Sequence, residues 1–397
     1  MHPTSSAVST PKSWDIFCRV IDNYGDIGVC WRLARQLASE HNQQVRLWVD
    51  DLNALVRIWP DAQLADQQEL AGVDVRHWPD AFPTDIGIAQ VVIEAFACDI
   101  PDIYLQQMAE QKKNGQAPLW INLEYLSAEP WVEDCHSMVS VHPGTGLRKT
   151  FFFPGFTPRT GGLLREQDIA ERQHEFDRTF FLNSLGITAE HGALLISLFA
   201  YENTAVASLF DVWASSNRPI HCLIPQGKVL TSINQYLPEP LASGQGYTRG
   251  NLRLDAIPFL TQTQYDELLW ACDINFVRGE DSFVRAQWAG KPFVWHIYPQ
   301  EENAHITKLD AFLDRFLSQQ DQQLTANVSD LWHNWNQQHD VAGAWSQLME
   351  QLPQWQALSH DWKKHLRSQA DLASQLIVLS SGGGGQKSTT EKPQTTV

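Results

Sequence analysis

The chain has 397 residues, which predicts two domains rather than a single core. Hydrophobic residues make up 43% and charged residues 19%, a balance that excludes a largely disordered chain. The formal charge of −17 argues against nucleic-acid binding, which needs positive charge against phosphates, and is compatible with a cationic acceptor.

The first half of the chain alternates short apolar runs with amphipathic segments. Residues 14–21 predict a buried strand, and 22–28 predict a tight loop. A helix should follow, because Val29, Leu33 and Leu37 recur at four-residue spacing. Further strands are predicted at 45–49, 73–78, 91–96 and 119–123, and a helix at 103–111. This alternation predicts a parallel sheet with right-handed crossovers.

The same alternation restarts in the second half, so we expect two similar α/β units that face each other across a cleft. An aromatic, glycine-containing stretch at 151–162 should connect them, followed by a polar helix at 165–185. The second unit's strands are predicted at 193–199, 220–224, 252–257, 274–277 and 292–296, and its helices at 205–214, 265–271 and 283–289. The predicted domains are 13–160 and 161–345, followed by helices at 346–379 and a disordered tail at 380–397.

Cysteine usage and the N-terminal sequence bear on the location of the protein. The six cysteines include no Cys-x-x-Cys pair and lie mostly in apolar runs, which predicts buried free thiols in a reducing compartment. The first fourteen residues contain no apolar segment typical of a signal peptide, and no apolar run reaches the ~20 residues that span a bilayer. We therefore expect a cytoplasmic protein without a membrane partner.

The first candidate site is the glycine-containing loop that follows the first strand, Asp22-Asn23-Tyr24-Gly25-Asp26-Ile27-Gly28. The carboxyl end of a strand in an open parallel sheet faces the ligand crevice. The loop lacks the Gly-x-Gly-x-x-Gly and Gly-Lys-Ser/Thr patterns, which counts against a dehydrogenase or an NTPase. Sugar transfer with inversion needs a base beside the acceptor, and Asp26 or Asp22 could serve. Asp26 could instead cap the helix and Asp22 form the turn.

The second candidate site runs from Arg278 to the helix exit at Gly290. Ser282 is predicted to be the N-cap of that helix, whose free N–H groups and partial positive charge suit a diphosphate. Arg278 would add a full positive charge, and Glu280 would accept hydrogen bonds from sugar hydroxyls. Alternatively, Glu280 and Asp281 are only acids favoured in the first turn of a helix.

Aromatic and amide side chains at two other strand ends should open onto the same cleft. Phe199 and Tyr201 follow one strand, and Phe259 and Gln262 follow another, so aromatic rings could stack on a base while the amide reads its edge. The sequence has no Asp-x-Asp triplet and no His/Cys/carboxylate cluster at metal-ligand spacing. We therefore predict a mechanism without metal or other cofactor, in which the helix dipole and Arg278 stabilise the leaving diphosphate.

The two motifs together resemble the EarP family of protein-arginine rhamnosyltransferases. The resemblance rests on the segments 22–29 and 31–35 and on the segments 276–282 and 285–293, and it extends from residue 14 to about 379. It implies a GT-B fold, an acceptor site in the first domain and the donor dTDP-β-L-rhamnose in the second. It also implies that the partner is translation elongation factor P, modified on an arginine.

The resemblance also implies a role for individual residues. Asp26 would be the general base, with Asp22 orienting the acceptor and Glu280 as a third catalytic carboxylate. The substrate-binding residues would be Asn23, Tyr24 and Gly25 in the first loop, Phe199, Tyr201, Phe259 and Gln262 around thymine, and Arg278, Asp281 and Ser282, together with Glu280, around the sugar and diphosphate. Two rivals stay open: a GT-B transferase with a small-molecule or lipid-linked acceptor, and a non-catalytic sensor of nucleotide sugars.

Overall fold

The computed structural model describes residues 11–22, 24–300 and 304–382, which form two sheets flanked by helices. The strands are β1 (Ser13–Cys18), β2 (Gln44–Val49), β3 (Gln67–Leu70), β4 (Val73–His77), β5 (Val91–Ala95), β6 (Leu119–Leu123), β7 (Val139–Val141), β8 (Arg148–Phe152), β9 (Leu194–Leu198), β10 (Ile220–Pro225), β11 (Gly246–Arg249), β12 (Leu252–Ile257), β13 (Ile274–Arg278) and β14 (Phe293–His296). The helices are α1 (Gly25–Ser39), α2 (Leu52–Ile58), α3 (Asp102–Lys113), α4 (Val132–Cys135), α5 (Ile169–Glu175), α6 (Arg178–Ser184), α7 (Val206–Ala214), α8 (Val229–Tyr236), α9 (Gln262–Ala271), α10 (Asp281–Ala289), α11 (Ala304–Phe316), α12 (Gln322–Asn336), α13 (Ala342–Glu350), α14 (Leu352–Arg367) and α15 (Leu372–Ser380).

The order of the strands places a ligand crevice at the same edge of both sheets. The first sheet runs β3-β4-β2-β1-β5-β6-β8-β7 and the second β11-β12-β10-β9-β13-β14. Neighbours pair in parallel, except that β3, β7 and β11 run antiparallel to β4, β8 and β12. The order reverses beside β1 in one sheet and beside β9 in the other. Ligands bind at such switch points, outside the carboxyl ends of the strands.

The central strands of both sheets are buried along nearly their whole length. β5 and β9 are buried at every position, and β1 at every position after Ser13. Helices and aromatic side chains cover both faces, so these strands read as continuous apolar runs and not as alternating patterns. The predicted α/β class with two parallel sheets is therefore confirmed.

The end of the described chain returns to the first sheet. Leu372, Ala373 and Leu376 of α15 belong to the core that packs against β1 and α1. The Leu372 N–H donates to the Leu163 carbonyl at 3.0 Å, which ties α15 to the connection between the two sheets. The last helix thus links the two units a second time.

The structure corrects several predicted element boundaries. The loop predicted at 22–28 is shorter, because α1 already begins at Gly25. The helix predicted at 165–185 is two helices, since the Asp177 side chain accepts hydrogen bonds from the N–H groups of Thr179 and Phe180 and starts α6 there. β8 takes up the first residues of the predicted connection, at Arg148–Phe152.

Several elements had no counterpart in the prediction. β3, β7 and β11 are edge strands of three or four residues with exposed positions, too short for a clear hydrophobic period. The helices α11 and α12 were also not predicted. Residues 383–397, most of the predicted tail, lie outside the described residues. Among the described residues, no helix is both long enough and apolar enough to cross a membrane.

Candidate active site

Two adjoining cavities open between the carboxyl edges of the sheets. The smaller, of about 700 Å³, is lined mainly by residues of the second unit, and the larger, of about 920 Å³, extends over the loop before α1. Both are lined by Asp22, Gly25, Gly279 and Glu280. The two predicted motifs, 250 residues apart in sequence, thus form the partition between the cavities.

Asp26 is buried in the first turn of α1 and lines the larger cavity. Its Oδ2 accepts hydrogen bonds from the N–H groups of Ile21 and Asp22, both at 2.8 Å, and its Oδ1 accepts one from the Tyr125 hydroxyl at 3.3 Å. Burial raises the pKa of Asp26 above its usual range, and the two backbone donors oppose this. Asp26 is not the helix N-cap, because α1 begins at Gly25 after Tyr24.

Asp22 and Tyr24 contact the second unit directly. The Tyr201 hydroxyl donates to Asp22 Oδ2 at 2.7 Å, and the ring of Tyr24 packs edge-on against Phe259 with centroids 5.1 Å apart. The loop that carries the acid pair is therefore held in part by residues of the other sheet. Asn23, a further predicted binding residue, lies outside the described residues.

Glu280 projects into the cleft from the opposite side. Its Oε2 accepts a hydrogen bond from the Leu126 N–H at 3.0 Å, a contact across the two units. Burial, reinforced by the charges of Asp26 and Asp281, raises the pKa of Glu280 to about 8. A carboxyl with so high a pKa at a cavity wall is a common feature of active sites.

Arg278 lies at the end of β13 with two aromatic rings beside its guanidinium. The guanidinium carbon is 4.4 Å from the ring centre of Phe199 and 4.9 Å from that of Tyr201. Arg278 is 8% exposed, and within the described chain its Nη1 has no hydrogen-bond partner. A buried cationic donor without a partner at the wall of a cavity suits an anion.

The backbone beside Arg278 also suits an anion. Gly279 has a φ of +62°, a left-handed conformation that glycine adopts without strain, and it turns the chain from β13 into α10. The N-cap of α10 is Glu280, whose side chain makes no capping hydrogen bond. The N–H groups of the first turn therefore remain available to a ligand.

Two predicted roles in the second motif need revision. Ser282 is not the N-cap, because its hydroxyl lies within α10, donates to the Arg278 carbonyl and accepts from the Arg278 N–H at 3.0 Å. It fixes the backbone of Arg278 instead. The Asp281 carboxylate pairs with Arg32 of α1, with 2.8 Å between Oδ1 and Nε, although Asp281 still lines the smaller cavity.

Gln262 makes contacts across the cleft. Its Nε2 donates to the Gly28 carbonyl at 2.9 Å, and its Oε1 accepts from Arg35 Nη2 at 3.4 Å. A side chain at Gly28 would come within 3.3 Å of Asp281 Oδ2 and Gln262 Nε2, so glycine permits α1 to approach this close. Gln262 lines the smaller cavity together with Phe199 and Phe259, and its role in reading a base stays a prediction.

A buried charge network that joins the two units was not predicted. Arg32 and Arg285 both contact Asp266 at 2.7–3.1 Å, and both contact Glu166 in the connection between the units at 2.6–3.3 Å. With Asp281 the network holds three acids and two arginines. Arg32 was part of the motif that carried the resemblance, but sequence spacing does not reveal a partner 234 residues away.

Tyr125 is a second residue that sequence reasoning missed. It follows β6, donates to Asp26 and lines the larger cavity. The only available signal was its place after a predicted strand end, beside Glu124. Among the described residues, no group of three or more His, Cys, Asp or Glu side chains is arranged to hold a metal ion.

Comparisons with known proteins agree on one family. The family model of the elongation factor P rhamnosyltransferase EarP matches residues 14–381. A protein-arginine rhamnosyltransferase from Pseudomonas putida is 50% identical over 372 residues, covering 92% of this chain and 97% of the relative.

Comparison with solved structures gives the same family and the fold. A structure that explains EarP-mediated arginine glycosylation of translation elongation factor EF-P has a TM-score of 0.65 at 34% identity and covers 94% of this chain and 99% of the other. Phytolacca americana UGT2 shares the fold alone, with a TM-score of 0.50 at 10% identity over 94% and 99% of the two chains. The predicted GT-B fold is confirmed, and the chain belongs to the EarP family of glycosyltransferases.

Proposed function

We propose that this enzyme transfers L-rhamnose from dTDP-β-L-rhamnose to an arginine side chain of translation elongation factor P, with inversion and without a metal ion. The names of the relatives support the sugar and the acceptor. One observation carries the proposal: Asp26 of the first unit and Glu280 of the second border one cavity, beside a pocket that contains Arg278.

The smaller cavity suits the donor. Phe199 and Phe259 offer apolar rings for a base, and Arg278 has a guanidinium nitrogen without a partner among the described residues, which suits the diphosphate. The leaving group gains negative charge as the bond to the sugar breaks, so a fixed cation and the N-terminus of α10 stabilise it most in the transition state. These groups supply that stabilisation from the chain itself.

The larger cavity suits the acceptor. Among the described residues, its acidic and basic lining consists of Asp22, Asp26, Glu280 and Lys308, of which Glu280 keeps its proton below about pH 8. Such a surface attracts a guanidinium and orients its planar donors. Since a free guanidinium has a pKa above 12, a carboxylate that accepts its proton must act during the attack.

The reaction then balances as a single displacement. Asp26 takes a proton from an arginine nitrogen, and that nitrogen forms a bond to the anomeric carbon. The bond from this carbon to the diphosphate oxygen breaks, and dTDP leaves with the electron pair. Attack from the side opposite the leaving group inverts the configuration at that carbon.

Intact-mass analysis tests the proposal directly. The purified enzyme, elongation factor P and dTDP-β-L-rhamnose should give an acceptor that is heavier by one deoxyhexose, located on an arginine by fragmentation. Glu280→Ala should weaken donor binding and abolish transfer. An unmodified acceptor with transfer to a small-molecule or lipid-linked acceptor would favour that alternative. Donor binding without any release of dTDP would favour a sensor.

A cytoplasmic location is part of the proposal. All six cysteines are free, and five of them are buried. Unpaired buried thiols are typical of proteins in a reducing compartment. Fractionation of cells that produce the protein should recover it with cytoplasmic markers.

A further inference from the structure

An aromatic stack forms one wall of the larger cavity. Phe96 and Tyr125 lie face to face with ring centroids 4.4 Å apart and planes at 16°. Phe96 is only 8% exposed, whereas Tyr125 is 41% exposed. Phe96 thus backs one side of the Tyr125 ring, and the rest of that ring faces the cavity, which both residues line.

The backbone that supports this stack is strained. Phe96, Ala97 and Asp99 follow β5 with φ values of 57°, 53° and 53°, in the left-handed region that residues other than glycine rarely adopt. The Phe96 N–H donates to the Leu123 carbonyl at 2.7 Å, which holds the turn against β6. Strain of this kind persists where the surrounding structure enforces it, and it is concentrated at functional sites.

The two oxygens of Asp26 differ in their surroundings. Oδ2 accepts two backbone hydrogen bonds at 2.8 Å, from Ile21 and Asp22. Among the described residues, Oδ1 has a single partner, the Tyr125 hydroxyl, at the longer distance of 3.3 Å. Oδ1 therefore keeps the lone pair that can accept a proton, and Tyr125 is the side chain that directs this oxygen.

We propose that Tyr125, backed by Phe96, is a positioning residue for the acceptor arginine. Its ring stacks on the guanidinium, and its hydroxyl orients Asp26 Oδ1 toward the nitrogen that reacts. The inference rests on the proposed function, because it requires an arginine acceptor. Planar guanidinium groups stack on aromatic faces, and the charge is attracted by the ring quadrupole. The stack thus supplies an apolar wall opposite the acids that recognise the charge.

The titration of Asp26 reports on this arrangement. The charged or titratable groups around it and its cavity, among the described residues, are Asp22, Tyr125, Glu280, Tyr298, Lys308 and the thiols of Cys18 and Cys30. The Tyr125 hydrogen bond lowers the pKa of Asp26 against the larger effect of burial. Burial and the nearby acids raise the pKa of Tyr125, so its hydroxyl stays protonated in any practical assay.

Steady-state kinetics separates the stacking role of the ring from the orienting role of the hydroxyl. The rates are measured from pH 5 to 9, with elongation factor P varied at saturating dTDP-β-L-rhamnose. Tyr125→Phe keeps the ring, so the KM for the acceptor should change less than about threefold, while the acid limb of the kcat/KM profile moves up by about half to one pH unit. Tyr125→Leu removes the ring as well, and KM should rise about three- to thirtyfold. Phe96→Leu keeps the hydroxyl and should raise KM. The matched control is Tyr236→Phe, which removes a tyrosine–aspartate hydrogen bond to Asp211 outside both cavities.

The outcomes separate this inference from the proposed function. If the wild-type enzyme leaves elongation factor P unmodified, the proposed function fails. If the wild type is active but Tyr125→Phe has an unmoved acid limb and Tyr125→Leu an unmoved KM, the positioning role is refuted. A uniform fall in kcat with neither shift would show that Tyr125 only packs. Tyr125→Phe keeps this test valid even if Tyr125→Leu fails to fold.

Discussion

Replacing Glu280 by glutamine tests whether the cleft holds a carboxylate at the expense of stability. Burial raises the pKa of this carboxyl from its ordinary 4.5 to about 8, so the folded protein retains a proton that the unfolded chain loses above about pH 4.5. Between these values the folded state binds more protons than the unfolded state. The free energy of unfolding of the wild type should therefore fall as the pH rises through this window, and level off above pH 8.

The magnitude follows from the size of the shift. A change from 4.5 to about 8 corresponds to at most about 5 kcal/mol at 1.36 kcal/mol per pH unit. Glu280 lines two open cavities, and solvent there reduces the effect to about 1–3 kcal/mol. Glutamine can still accept the Leu126 hydrogen bond but cannot ionise. Glu280→Gln should thus be about 1–3 kcal/mol more stable than the wild type at pH 9 and nearly equal to it near pH 4.5.

Urea unfolding followed by tryptophan fluorescence measures this difference at a series of pH values from 4.5 to 9. Glu239→Gln is the control, because its side chain is exposed and its substitution should leave the pH dependence of stability unchanged. The same Glu280→Gln protein should transfer little or no sugar, since stabilising an active site commonly reduces its activity. A stability difference that stays constant with pH, or a variant less stable than wild type at pH 9, would refute the reasoning.

Three further substitutions test separate parts of the site. Asp26→Asn should keep donor binding, measured by calorimetry, but lower kcat by about 10²–10⁴, the usual contribution of a general base. Arg278→Gln should weaken dTDP binding about 10–100-fold, because it removes the proposed charged partner of the diphosphate; unchanged affinity would contradict that role. Arg32→Met should cost about 3–5 kcal/mol in urea unfolding, because it leaves Asp266 and Asp281 with less compensation in a buried network.

For each of these substitutions, one outcome would contradict the role assigned to the residue. Normal turnover by Asp26→Asn with purified acceptor would remove the base assignment. For Arg32→Met the matched control is Arg249→Met, which breaks an exposed ion pair with Asp211 that should contribute less than about 1 kcal/mol. If the two arginine variants lost equal stability, the buried network would contribute no more to the free energy of unfolding than an exposed ion pair does.

The sequence predicted the parts of the site that lie at strand ends. Asp22 and Asp26 follow β1, Arg278 is the last residue of β13 and Glu280 follows it, so the topology of parallel sheets alone brings them to one edge. The apolar runs of buried strands are a local property, so they can be recognised in a single sequence. The edge strand β7 has no such period and was missed.

The sequence could not predict contacts that depend on how the two units pack. Arg32 meets Asp266 and Asp281 only when α1 lies against α9 and α10. Ser282 matched the residue preference for an N-cap, but Gly279 turns the chain so that the N-cap is Glu280 and α10 begins two residues earlier than predicted, at Asp281. Both results depend on tertiary geometry, which overrides local preference.

The contacts across the cleft link the proposed base in one unit to the proposed donor pocket in the other. Tyr201 holds Asp22, Leu126 holds Glu280, and Gln262 holds the start of α1 through the Gly28 carbonyl. A shift of either unit would break these hydrogen bonds together, and Asp26 would then lie in a wider, wetter cavity. Water around a carboxylate lowers its basicity and weakens its attraction for a guanidinium. Because Arg278 packs against the ring of Tyr201, which itself donates to Asp22, a diphosphate bound at Arg278 would favour the arrangement that also orders the acid loop. Donor binding should therefore precede productive acceptor binding. Product inhibition by dTDP tests this order: the inhibition should be competitive against the donor and not against the acceptor.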